Sequence, residues 1–150
     1  MSQIHTSLVH ATAVTYEGCG VLILGPPGSG KSSLALMVCD AGGDLIGDDQ
    51  AQLSSQGGIL MASPAPSLAG LLEVRGIGII NMPHVSCHPL HVALSLQPWQ
   101  TIPRLPDNDH STFEGITLPH YFLDPTQPSC LARLRVITRL TAGLLRGTEA

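Results

Sequence analysis

Positive charge is scarce in this chain: 7 Lys and Arg stand against 11 Asp and Glu, a net charge of -4. That balance leaves no basic stripe to track a nucleic-acid backbone, so nucleic acid is not an expected partner. Long apolar runs are also missing. "GVLILG" is among the longest and is far too short to cross a bilayer. No charged start, apolar stretch and small-residue cleavage site open the chain, so a cytoplasmic protein is expected, with no membrane association. The 4 cysteines, Cys19, Cys39, Cys87 and Cys130, form no C-x-x-C pair, which argues against a disulfide framework and a structural zinc site. Cys39 lies in an apolar helical run and reads as a small core residue. No internal repeat or low-complexity linker divides the 150 residues, so a single α/β domain over 1–150 is expected.

Hydrophobic patterning supplies a coarse map. Residues 4–16 alternate loosely and suggest one or two strands, and 20–25 a short buried strand ended by glycine. A helix is expected over 31–41, a short strand within 43–49, and a hairpin over 51–62 turning at Gly57-Gly58. Further strands are expected at 71–82, 92–97 and 116–122. The stretch 98–128 holds 6 of the 12 prolines, which predicts long loops around that last strand. The tail from Cys130 has leucines, Val136 and Ile137 at helical spacing, and reads as a helix or a strand leading into one. Trp99 reads as a core residue.

The strongest chemical signal is "GPPGSGKSS", Gly25, Pro26, Pro27, Gly28, Ser29, Gly30, Lys31, Ser32 and Ser33, which satisfies G-x-x-x-x-G-K-[ST]. A buried strand precedes it and a helical run follows, the context in which such a loop binds phosphate. Glycines let successive backbone N–H groups turn toward phosphate oxygens, and the helix start adds the positive end of its dipole. Lys31 would reach the β- and γ-phosphates, and Ser32 would offer its hydroxyl to Mg²⁺. A glycine-rich turn that happens to contain Lys-Ser is the plain alternative, and the flanking elements weigh against it. Pro26 and Pro27 carry no N–H, so this cradle has fewer donors than a generic one.

Two further groups converge on the same chemistry. "LIGDD" ends a short apolar strand with Asp48 and Asp49, one helix after the loop, where acids hold Mg²⁺ or take a proton from an attacking hydroxyl. "LLEVRGIGIINM", 71–82, reads as one buried strand interrupted by Glu73 and Arg75. Two positions apart on extended chain, they share a face, and burying them costs energy unless something pairs with them. Aimed at the phosphate site, Glu73 would add negative charge near the metal and Arg75 would brace an acid or a phosphate. Gly76 and Gly78 would let backbone pass close to a ligand. An internal Glu73–Arg75 ion pair is the competing reading.

The order and spacing of "GPPGSGKS", "LIGDD" and "LLEVRGIGIIN" resembles the catalytic domain of the HPr kinase/phosphorylase family. The likeness begins near "LVHATAV", is strong to about residue 82 and weakens afterwards. It implies a P-loop-containing mixed sheet with flanking helices, and a Mg²⁺-dependent kinase moving phosphate from ATP, or pyrophosphate in some members, to a serine of the phosphocarrier HPr. The family also reverses this by phosphorolysis in the regulation of the phosphotransferase system. Carried over, it implies phosphate binding at 25–33, with Ser32 on the metal. Asp48 is implied as the acid that activates the serine, Asp49 as its support and Glu73 as part of the metal shell. His10 is implied near the site, with His5 the competing assignment. Arg104 in "IPRLP" corresponds to an arginine of the family's mobile segment.

The chain starts almost at the catalytic domain and stops at Ala150, like a short, single-domain form, which leaves homo-oligomerisation and docking of HPr open. Two other functions fit the same loop: a nucleotide-sensing regulator without transfer, and a kinase for another protein or a small molecule. The paired acids argue against the sensor, since binding alone has little use for them. "HVSCHPLH" places His84, Cys87, His88 and His91 at i, i+4 spacings, but Pro83 and Pro89 break any helix there, so loop histidines are preferred over a zinc site.

Overall fold

A computed structural model of the protein describes residues 5–148. Along the chain run β1 (His5–Val9), β2 (Thr12–Tyr16), β3 (Cys19–Leu24), α1 (Lys31–Asp40), β4 (Asp44–Gly47), β5 (Ala51–Gln56) and β6 (Ile59–Pro64). They are followed by β7 (Leu71–Val74), β8 (Gly78–Asn81), β9 (His88–Pro89), β10 (Val92–Leu96), β11 (His110–Phe113), β12 (Ile116–Leu123) and α2 (Cys130–Thr141).

Alternation along the central strands organises these elements into layers. In β3, Val21 and Ile23 point to one face and Leu22 to the other; in β4, Leu45 and Ile46 divide the same way. The six-stranded sheet, ordered β11-β12-β10-β3-β2-β4, is therefore apolar on both sides. Against one face pack α1 and α2 through Leu34, Ala35, Val38, Leu134 and Ile137. Against the other lies a four-stranded sheet, β1-β5-β6-β9, through Ala51, Leu53, Leu60 and Ala62. The expected mixed sheet with helices is present, but the helices cover one face and a second sheet covers the other. Cys39 is a buried core residue of α1, as its apolar helical setting indicated, and burial pushes the thiols of Cys19 and Cys130 up to about 11.

Strand direction positions the site. β3 is parallel to β10, and β10 to β12, while β2 runs antiparallel to both β3 and β4. β3 and β4 thus point the same way with β2 between them. Their C-terminal ends and the start of β2 meet at one edge of the sheet.

Three expectations are corrected. Residues 71–82 are not one strand: β7 and β8 form an antiparallel hairpin with Glu73 opposite Ile79 and Val74 opposite Gly78. The Ile77 amide donates to the Val74 carbonyl at 2.9 Å, and Gly76, at φ 85, takes the left-handed conformation the turn requires. The glycines therefore reverse the chain. A second hairpin, β11 with β12, forms where only one strand was expected, turning at Glu114-Gly115. Trp99 is 38% exposed rather than in the core, with the Arg133 guanidinium 4.5 Å from its ring centroid.

Candidate active site

The loop between β3 and α1 ends in Gly30, at φ 103 and ψ 16, which leads directly into Lys31 at the first turn of α1. An added Cβ on Gly30 would stand 2.6 Å from Cγ of Pro125, so both the backbone and the space demand glycine. No side chain caps this helix start and no acid sits in its first turn, so its positive end is left for another anion. Lys31 is buried and folds back over the loop, donating from Nζ to the carbonyls of Gly25 at 2.7 Å and Pro26 at 3.3 Å. Inside the loop the Ser29 hydroxyl is buried and has no hydrogen-bond partner among the described residues.

At the end of β4, Asp48 meets this loop. Its Oδ1 accepts two hydroxyl donors, Ser32 Oγ at 2.8 Å and Thr12 Oγ1 at 3.1 Å. Thr12, at the start of β2 and fully buried, also accepts the backbone N–H of Asp49 at 3.1 Å. Asp49 itself is exposed with φ 61, an uncommon conformation for a side-chain-bearing residue.

A cleft of about 510 Å³ opens over these groups. Its lining runs from Pro27, Gly28 and Gly30 through Lys31, Ser32 and Ser33 to Asp48, Asp49, Glu73 and Arg75, with Leu36 and Val74 supplying apolar wall. Glu73 and Arg75 do converge on the loop and the acids, although the hairpin delivers them, Glu73 from β7 and Arg75 from the turn. Leu72, on the opposite face of β7, is fully buried in the core beside α1, which seats the hairpin. The competing Glu73–Arg75 ion pair does not form among the described residues; the ion pairs there join Glu17 to Arg135 and Arg139.

The remaining candidates lie elsewhere. His10 stands on an exposed bend between β1 and β2, two residues before Thr12, and is not part of the cleft lining. His5 begins β1, opposite Ser55, and its side chain lies outside the described residues. Arg104 lines a different cavity, of about 360 Å³, between the 102–109 loop, β12 and α2. Three of the "HVSCHPLH" side chains bond to backbone: His84 Nδ1 contacts the Met82 carbonyl, His88 Nδ1 the Pro89 carbonyl, and His91 Nδ1 accepts the Gly20 N–H at 2.9 Å. Cys87 is exposed. Thr12 is the residue that sequence reasoning missed. A threonine in an alternating strand carries no signal, and only the strand directions bring it to the acids.

These donors suit a Mg²⁺-bound polyphosphate. The Ser32 hydroxyl and the Asp48 carboxylate, 2.8 Å apart, are oxygen donors of the kind a hard divalent cation takes. Asp49 and Glu73 lie on the same cleft wall, although among the described residues no three acidic, histidine or cysteine side chains close on a single point. Lys31, the uncapped helix start and Arg75 supply positive charge beside it.

Comparison with known proteins points to one family. Residues 2–95 match the family described as the HPr serine kinase C-terminal domain. The HPr kinase/phosphorylase of Brevibacillus brevis is 41% identical over 78 residues, 51% of this chain and 25% of that protein. That of Clostridium novyi is 32% identical over 99 residues, 61% of this chain and 32% of that protein. The chain thus spans about a quarter to a third of the length of these curated relatives. Among solved structures, the HPr(Ser) kinase/phosphatase of Coxiella burnetii superposes with a TM-score of 0.81 at 26% identity, over 92% of this chain and 98% of that one.

Proposed function

The chain belongs to the HPr serine kinase C-terminal domain family, and from that premise we propose that it is a Mg²⁺-dependent, ATP-using serine kinase acting on an HPr-like phosphocarrier protein, with phosphorolysis as the reaction that removes the phosphate. One observation carries the reading: an acid, Asp48, is held by hydroxyls at the mouth of a phosphate-binding loop, in a cleft open enough for a substrate side chain. Phosphate binding alone has little use for an acid placed there.

In this mechanism the α1 start and Lys31 hold the nucleotide's phosphates, with the ammonium exchanging its loop carbonyls for phosphate oxygens. Ser32, with Glu73 and Asp49 on the lining of the same cleft, would hold Mg²⁺, which offsets charge on the phosphates when bound. Asp48 accepts the proton of the substrate serine as its oxygen attacks the γ-phosphorus. The new O–P bond forms as the bond to the bridging oxygen breaks, and ADP leaves. Dephosphorylation is a separate, phosphorolytic step: an oxygen of inorganic phosphate attacks the phosphoserine phosphorus, the bond to the serine oxygen breaks as pyrophosphate forms, and a proton of the attacking phosphate passes by way of Asp48 to the serine oxygen. Arg75 braces the transferred group. His10 enters no step, since it does not line the cleft.

The test is transfer of label from γ-labelled ATP to HPr from the same organism, with Asp48→Asn alongside. The variant is expected to lose transfer and to keep nucleotide affinity, because the phosphates are held by other groups. Equal transfer by the variant would overturn the role of Asp48. Nucleotide binding by the wild type without labelling of HPr would point instead to a sensor or to another substrate.

A further inference from the structure

We infer that Thr12 is the positioning residue of this site: its hydroxyl fixes Asp48 with one carboxylate oxygen engaged and the other left for the substrate. The inference rests on the kinase reading above and goes beyond it, to a residue outside the glycine-rich loop, the paired acids and the 71–82 stretch.

Both donors to Asp48, Ser32 and Thr12, end on the same oxygen, Oδ1. No described side chain donates to Oδ2, although Asp48 lines the cleft. A carboxylate held this way presents a defined oxygen to an incoming hydroxyl, and small errors in that placement lower rates steeply. The two donors are not equivalent. Ser32 lies in the glycine-rich loop, and in the kinase reading its hydroxyl would take the cation, a duty with which its bond to Asp48 competes. Thr12 has no such second task. It is fully buried, its hydroxyl donates its one proton to Asp48, and its lone pairs receive the Asp49 N–H.

The fold makes this position singular. β2 lies between β3 and β4 and runs opposite to both, so its first residue stands between the phosphate loop and the acids. The pairing of β2 with β4 shifts register between Ala13 and Val14, beside Thr12. Bonding of Asp49 to Thr12 further ties down a residue whose φ of 61 needs outside support.

The experiment compares wild type, Thr12→Val, which keeps the shape without the hydroxyl, and Thr12→Ser, which restores it. With HPr as substrate, Thr12→Val is expected to lower kcat about tenfold or more while KM for ATP and nucleotide Kd stay within about twofold. Thr12→Ser should recover most of the loss. A merely structural role would reduce stability without that split and without recovery by serine. Unchanged kcat in Thr12→Val overturns the inference while leaving the kinase intact. If the wild type transfers to no substrate, the kinase reading fails, and Thr12 is then judged by crystal structures of the wild type and Thr12→Val. An Asp48 side chain that leaves its place in the variant supports the inference; one that stays overturns it.

Discussion

Lys31 shows at the residue scale how a side chain can be held ready for a ligand. A buried ammonium is costly to leave unpaired, and here two carbonyls of its own loop accept its protons. Those bonds hold the side chain over the phosphate loop, within reach of the cleft that it lines. Lys31→Ala is expected to weaken nucleotide binding itself about tenfold or more, in contrast to Asp48→Asn, as measured by titration calorimetry. Retained affinity would mean that the loop does not bind phosphate. Lys31, Ser32 and Asp48 were legible in the sequence because a motif or a strand end marks each of them. Thr12 was not, because its partner is 36 residues away and the contact exists only in three dimensions.

At the scale of elements, the junction of the loop with α1 is the most constrained point. Gly30 combines a left-handed backbone with close approach to Pro125, which belongs to the turn after β12. Gly30→Ala should therefore destabilise the protein by about 1–3 kcal/mol and displace the loop, read as a lower urea midpoint together with weaker nucleotide binding. An unchanged midpoint would show that Pro125 moves aside and that the backbone tolerates the change. The β7–β8 hairpin carries a different lesson. The sequence over 71–82 is apolar and β-prone throughout, so periodicity suggested one strand, and the glycines were assigned to a ligand's approach. They form the turn. Both Glu73 and Arg75 still line the cleft, because β7 is anchored on its other face by Leu72.

Across the whole molecule, charge as well as core ties the sheet to α2. Glu17, in the turn between β2 and β3, bonds Arg139 of α2 and lies 3.4 Å from Arg135. The hydrogen bonds from Arg139 hold the Glu17 carboxyl below its usual value of 4.5. A depressed acid contributes stability that is fully present above its unfolded pKa and is lost as pH falls through its folded value. The melting temperature of Glu17→Gln should accordingly fall short of wild type near about pH 7, with the gap closing at about pH 2–3 and shrinking in high salt. A gap that persists in acid would assign it to packing instead. From sequence alone came the mixed α/β class, the glycine-rich loop between strand and helix, the acids after the next strand and the convergence of Glu73 and Arg75 on the same cleft. Such signals are local: a glycine spacing, an apolar strand, a charged pair in apolar company. Tertiary structure alone decided which layer covers each face of the sheet, that 71–82 turns back on itself, and that Thr12 stands beside Asp48. Those outcomes depend on strand order and direction, which arise from the packing of distant segments and leave no mark on any short stretch of the chain.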